Sequence, residues 1–135
     1  MPIQRYFYPR ENYTRSVYVP PIDNEERVAS VEAVPRHPDF RPSMHFLIDR
    51  RQCAPIDYSD YTVEEVKRLF DWHVEIAQGH KVRIALLGRP PDRSGQRIDQ
   101  MFLVIAELYR DRLSVRDFED EAEALAWILE APTVC

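Results

Sequence analysis

The residues of this chain that could do chemistry begin with a short polar stretch, IDYSDYTVEEV, at positions 56–66. It places the hydroxyls of Ser59 and Thr62 just before a helical pattern, where a phosphoryl group or another anion could meet free helix amides. Thr62 is followed three residues later by Glu65, which is the spacing of a capping box. The pattern therefore predicts that Thr62 is a helix N-cap and that Ser59 belongs to a turn. Phosphorylation of Ser59 or Thr62 is the alternative interpretation.

A second candidate is the arginine-rich loop GRPPDRSGQR, at positions 88–97. Guanidinium groups and helix amides could hold a small anion there, and the residues concerned are Arg89, Arg93, Ser94 and Arg97. The loop is not a P-loop, because the lysine and the glycine spacing of that motif are missing. Solvated arginines are the commoner outcome for such a loop, so both interpretations stay open.

No motif in the sequence dictates a reaction. There is no G-x-S-x-G elbow, no H-E-x-x-H pair and no glycine-rich dinucleotide fingerprint, and the chain has three glycines in all. Asp49 is the best-placed carboxylate, but Arg50 and Arg51 beside it favour an ion pair. Cys53 and Cys135 lack partners at metal-ligand spacing. We therefore expect a protein that is not an enzyme and uses no metal or cofactor, with an esterase-like activity as the least favoured alternative.

Composition narrows the class of protein further. The 135 residues fit one domain, spanning 1–135 with a core at about 4–131. The net charge of −5, from 18 basic and 23 acidic residues, argues against binding to nucleic acid. Two cysteines without a framework favour a reducing compartment, and no apolar run approaches the length of a membrane span. The expected location is cytoplasmic, with no transmembrane segment.

Short apolar runs alternate with helical patterns along the chain. Aromatic and β-branched residues on either side of PREN, at 9–12, predict a pair of strands. A first helix capped by Asp23 or Asn24 follows. Further strands are predicted at 44–49, 81–88 and 113–118, and further helices at 62–78, about 96–110 and about 120–131. This order predicts an α/β fold with a sheet that is parallel over most of its width.

The predicted helix at 62–78 has an apolar arc wider than the roughly 100° that a helix on the surface of a sheet needs. The arc predicts a second contact besides the sheet, with a neighbouring helix, a ligand or a partner protein. His73 falls inside it, where a single histidine is more often a hydrogen-bonded core residue than a ligand or base. The predicted ligand or partner surface consists of Leu69, Trp72, His73, Ile76, Met101 and Phe102.

Three segments occur in an order typical of one bacterial group: HPDFRPSMHFLIDRR at 37–51, HKVRIALLG at 80–88 and VRDFEDEAEALAWIL at 115–129. They resemble the SpoIIAA-like proteins of the STAS superfamily. The likeness covers nearly the whole chain, with weaker agreement over the first 35 residues. It implies a single STAS-like domain, with a mixed, mostly parallel sheet of about five strands and about four helices.

The resemblance also implies two functions. The broader family includes anti-sigma-factor antagonists phosphorylated on a serine, for which Ser59 is the nearest match here and Thr62 the second, although the glycine of that motif is absent and the spacing differs. The fold is also similar to lipid-transfer domains of the Sec-fourteen type, which implies an apolar ligand under a mobile helix. We therefore predict a non-enzymatic binding or regulatory module for a small apolar molecule or lipid, with a partner-switching protein as the alternative. Edge strands and Trp72 would also allow a homodimer.

Overall fold

A five-stranded mixed sheet organises the chain, and the computed structural model describes it through residues 3–19, 24–52, 62–88 and 93–130. The strands are β1 (Ile3–Tyr8), β2 (Tyr13–Tyr18), β3 (His45–Asp49), β4 (Val82–Leu87) and β5 (Leu113–Phe118), which lie side by side in that order. β1 runs antiparallel to β2, and β2 to β5 are parallel. The predicted α/β class and mostly parallel sheet are confirmed.

Four helices cover the sheet: α1 (Asn24–Ala33), α2 (Val63–Ala77), α3 (Arg93–Ala106) and α4 (Glu121–Leu129). Right-handed crossovers between strands in sequential order put the three connecting helices, α1 to α3, on one face. α4 follows the last strand and packs on the opposite face. Within the described part of the chain, none of the helices is both long and apolar enough to cross a bilayer.

The hairpin between β1 and β2 turns through residues 9–12, as the sequence predicts. Asn12 adopts a positive φ of 61°, a conformation that asparagine tolerates better than most residues. Its side-chain amide donates to the carbonyl of Ser43 at 3.0 Å, and its own carbonyl accepts from the backbone N–H of His45. The turn therefore also fixes the start of β3.

The sheet separates two apolar cores because side chains alternate along each strand. Phe46, Ile84 and other inward residues pack under α1 to α3. Leu47 and Leu87, on the opposite face, pack against Ile128 of α4. β3 and β4 are therefore apolar on both faces, as expected for central parallel strands.

Helix boundaries follow local capping chemistry. Thr62 is the N-cap of α2, as the sequence predicts, and its hydroxyl accepts from the backbone N–H of Glu65 at 3.2 Å. Asp120 caps α4 in the same way. α3 begins at Arg93, about three residues before the predicted start, so Gly95 lies in its first turn rather than in the loop.

Candidate ligand-binding cavity

A cavity of about 70 Å³ lies between the sheet and α1 to α3. Its floor is built from neighbouring strands, because Phe46, Ile84 and Val115 stand opposite one another in register. Ile48 and Leu86 form the next row toward the carboxyl ends of the strands. The register of three parallel strands therefore produces a continuous apolar floor.

The roof of the cavity comes from three helices. Leu69 and Phe70 of α2 line it together with Phe102 of α3 and Val31 of α1. Phe70 meets Phe102 edge to face, with ring centroids 6.0 Å apart. Leu69 also packs with Val31 in a small cluster under α1. Adjacent residues of α2 thus contact different neighbouring helices, which explains the width of its apolar arc.

Charged groups also line this apolar space, and one ion pair joins Arg50, the residue after β3, to Asp99 of α3. Arg50 donates to both carboxylate oxygens of Asp99, at 2.5 and 3.1 Å, and to the carbonyl of Gly88 at 2.5 Å. The side chains of Arg50 and Asp99 are 11% and 9% exposed. The Nε of Arg50 is buried and has no hydrogen-bond partner among the described residues.

Arg5 reaches the cavity from the edge strand β1. It stands opposite Ser16 in the β1–β2 register, and both residues line the cavity. Its Nη2 donates to the hydroxyl of Ser30 at 2.5 Å. Burial lowers the pKa of the Arg5 guanidinium, and Tyr18 opposes that shift. A third guanidinium, that of Arg27 on α1, also lines the cavity and is 2% exposed.

His73 of α2 is buried beside these groups and lines the cavity. Its Nδ1 lies 2.7 Å from the carbonyl of Leu69, so this nitrogen carries the proton and donates. The ring meets Phe46 edge to face at 4.8 Å. Burial, aided by the nearby charge of Arg5, lowers the pKa of His73 to about 4 although the bond to Leu69 acts the other way. The imidazole is therefore neutral at physiological pH.

The six residues predicted as a ligand or partner surface have three different environments. Leu69, His73 and Phe102 line the cavity. Ile76 is buried in the apolar core under α1 to α3, and Met101 is partly buried against that core. Trp72 is half-buried against α1 and also borders a shallow groove on the outer side of α2. The structure thus brings three of the six residues together.

Of the residues predicted for phosphorylation or anion binding, the structure describes the side chains of Thr62 and Arg97. Ser59 and Arg89 lie outside the described residues. The hydroxyl oxygen of Thr62 accepts the capping bond already described. Arg93 and Ser94 belong to the first turn of α3, and Arg97 is exposed on the same helix.

Asp49 lies on the opposite face of the sheet and forms an ion pair, as the sequence favours. Its partner is Arg51, which donates from Nη2 at 2.8 Å and from Nε at 3.0 Å. Burial alone would raise the pKa of Asp49, but the bonds from Arg51 outweigh it and leave that pKa below its ordinary value. Glu121, at the start of α4, pairs with Arg15 and extends the network. Arg50, the other candidate partner of Asp49, bonds to Asp99 instead.

Sequence reasoning missed the polar groups at the cavity, namely Arg5, Arg27, Arg50 and Asp99. The sequence did contain a signal for Arg5. Alternate residues of a strand share one face, so Arg5 lies on the same face of β1 as the apolar residues Ile3 and Phe7. Likewise, Asp99 lies close in sequence to the apolar residues of α3. A charged residue at an inward-facing position of a strand or helix indicates such a polar group.

A wider groove of about 630 Å³ runs between β1 and α1. Ile3, Phe7, Ala29 and Ala33 contribute apolar lining. Arg5 lines both the groove and the cavity, so its side chain lies between them.

The described residues contain no group of three or more histidine, cysteine, aspartate or glutamate side chains that could hold a metal ion. Comparison of the chain with protein-family models, with curated proteins and with solved structures finds no match.

Proposed function

We propose that this chain is a non-catalytic binding module that holds a small, largely apolar molecule in the cavity beneath α1 to α3. The observation that carries the proposal is the composition of the cavity: an apolar floor and roof with a few charged and polar groups at the wall. Ligand sites in proteins typically have this mixture, in which apolar surface supplies affinity and sparse polar groups supply orientation.

The size of the cavity defines the kind of ligand. Its volume of about 70 Å³ exceeds the roughly 10–15 Å³ that one water molecule requires. It is smaller than the roughly 300 Å³ at which pockets for drug-sized ligands begin. Burying apolar ligand surface against this lining is favourable, at about 25 cal/mol per Å². A small molecule fits this space, whereas the acyl chain of a lipid would need the groove between β1 and α1.

The polar groups at the cavity favour binding over catalysis. Ser16 and His73 both line it, and a serine nucleophile would need a hydrogen bond to its base. Among the described residues no hydrogen bond joins Ser16 to His73, whose Nδ1 is bonded to the carbonyl of Leu69. Arg50 and Asp99 neutralise each other.

Membership of the SpoIIAA-like group and a cytoplasmic location are part of the same proposal. The first rests on the three sequence segments quoted above, and the second on composition.

Methyl-labelled NMR tests the proposal with 1-butanol as an uncharged test compound. We expect saturable shifts at the methyl groups of Ile48, Leu69, Ile84 and Leu86, which line the cavity. The methyl groups of Val104 and Leu108 are exposed and should not respond. Shifts confined to Ile3, Ala29 and Ala33 would move the site to the groove, and no saturable shift would contradict the proposal.

A cavity-filling variant provides the matched comparison. Val115→Phe adds a ring from a strand that lines the cavity, and we expect it to abolish the 1-butanol response. Val17→Phe makes the same change on β2, on the opposite face of the sheet, and should leave the response intact. Equal loss in both variants would indicate a general effect on folding.

A further inference from the structure

We infer that the ligand of this cavity carries a carboxylate and that Arg5 binds it, which makes the ligand a short-chain carboxylic acid with an apolar body. The inference rests on the proposed function and names the ligand class of the same site.

The charge balance at the cavity points to an anion. Three guanidinium groups line it, from Arg5, Arg27 and Arg50, and Asp99 is the one carboxylate among the described lining residues. Asp99 already accepts two hydrogen bonds from Arg50. His73 is neutral and adds no charge. With Arg50 and Asp99 paired, Arg5 is a positive charge in a setting where charge is poorly solvated.

Arg5 is the guanidinium best placed to meet a ligand. Its Nη2 donates to the neutral hydroxyl of Ser30. Asp99, the carboxylate in the described cavity lining, is held by Arg50, and Glu26 lines the adjoining groove rather than the cavity. Burial disfavours that charge, and a bound anion would offset the cost. Guanidinium and carboxylate groups also match in geometry, because two parallel N–H donors meet two oxygens.

Arg50 supplies a further donor among the residues that line the cavity. Its two terminal nitrogens are engaged by Asp99 and Gly88, while its buried Nε has no partner among the described residues. A buried donor without a partner is costly, so a ligand oxygen at this position would be favoured. Arg50 is thus the second group expected to orient the carboxylate.

The apolar part of the ligand follows from the rest of the lining. Phe46, Ile84 and Val115 on the floor and Leu69 and Phe102 on the roof offer no polar side-chain atoms. An inorganic anion would leave this surface in contact with water or empty. A short alkyl or branched chain would fill it, which is why a small carboxylic acid fits better than phosphate.

The test compares compounds of one size and different charge: butyrate, 1-butanol, n-butylammonium and inorganic phosphate, each followed at the cavity methyl groups. We expect butyrate to bind about tenfold or more tightly than 1-butanol, because a charge-assisted hydrogen bond is gained. Butylammonium and phosphate should show no saturable shift at these methyl groups.

Arg5→Gln should reduce butyrate affinity about tenfold and 1-butanol affinity by a smaller factor, because the alcohol carries no charge. Arg5→Lys keeps the positive charge and should retain part of the preference for butyrate. Arg15→Gln, which removes an arginine from β2 on the opposite face, is the matched control and should change neither affinity.

The outcomes separate the two proposals. If 1-butanol binds but butyrate binds no better, the carboxylate inference fails and the binding function stands. If butyrate is preferred but Arg5→Gln has no effect, Arg5 is not the binding group. If phosphate binds at these methyl groups as well as butyrate does, the site is a simple anion site and the inference is wrong. If neither butyrate nor 1-butanol binds, both proposals fail.

Discussion

Arg50 holds both carboxylate oxygens of Asp99, and this pair joins the chain just after β3 to the middle of α3. The two residues are 49 positions apart in sequence. Both side chains are close to nine-tenths buried, so the pair is shielded from solvent. It fixes the distance between sheet and helix at the wall of the cavity, and the volume available to a ligand depends on it.

Removing one partner of this pair should destabilise the fold strongly. Asp99→Ala leaves a buried guanidinium uncompensated, and we expect a loss of about 3–5 kcal/mol in the free energy of unfolding. Arg50→Met combined with Asp99→Ala should cost less than the sum of the single changes, because neither charge is then left alone. Urea denaturation of the four proteins measures this. Asp111→Ala, at an exposed position, is the control, and additive losses would contradict the pairing.

Stability should fall in acid through the buried His73. Its pKa is about 4 in the folded chain and near 6.5 when unfolded, so the unfolded state binds more protons between these values. The contribution of neutral His73 to the free energy of unfolding is therefore fully present above about pH 6.5 and is lost as the pH falls toward 4. The total loss is about 3 kcal/mol. His45, whose pKa burial also lowers to about 4, adds to the same window. Urea unfolding at a series of pH values measures the slope.

His73→Phe should reduce that slope, because the variant keeps an aromatic ring against Phe46 but has no proton to bind. His80→Gln changes an exposed histidine and should leave the slope unaltered. A slope that persists in full in His73→Phe would assign the acid sensitivity to other groups.

Arg83 should stabilise the end of α4. Its Nη1 donates to the carbonyls of Trp127 and Glu130, both at 2.7 Å, and its guanidinium lies 5.7 Å from the centroid of the Trp127 ring. Arg83→Met removes these contacts and keeps the aliphatic stem, so we expect a loss of about 1–3 kcal/mol. Thermal or urea unfolding followed by tryptophan fluorescence measures it. Arg112→Met, at an exposed position, should have little effect.

Thr62 should contribute to stability as a helix cap. Thr62→Ala removes the acceptor for the N–H of Glu65 and should cost about 1 kcal/mol. Thr62→Ser keeps an equivalent oxygen and should change the free energy of unfolding by a few tenths of a kcal/mol at most. Urea denaturation compares the two variants. Equal losses would show that the Thr62 methyl group, rather than its hydroxyl, carries the effect.

The sequence by itself determined the order of strands and helices, the capping role of Thr62 and the mostly parallel sheet. These features depend on local chemistry: the period of apolar residues, the capping spacing and the breakers between segments. The start of α3 was predicted too late because a glycine next to prolines and a serine is typical of a loop. In the structure Gly95 lies in the first turn of α3 instead.

The tertiary structure alone decided what lies beneath α2. Periodicity showed that its apolar arc was too wide for contact with the sheet alone. Which groups the outer part of the arc contacts, such as the side chains of α1 and α3 or a cavity, depends on where those helices lie. The same holds for Arg5, Arg50 and Asp99, which come from separate parts of the chain. They line one cavity because consecutive crossovers bring three helices to one face of the sheet. Contacts between residues so far apart in sequence have no local signature, which is why the cavity and its charges emerged only from the fold.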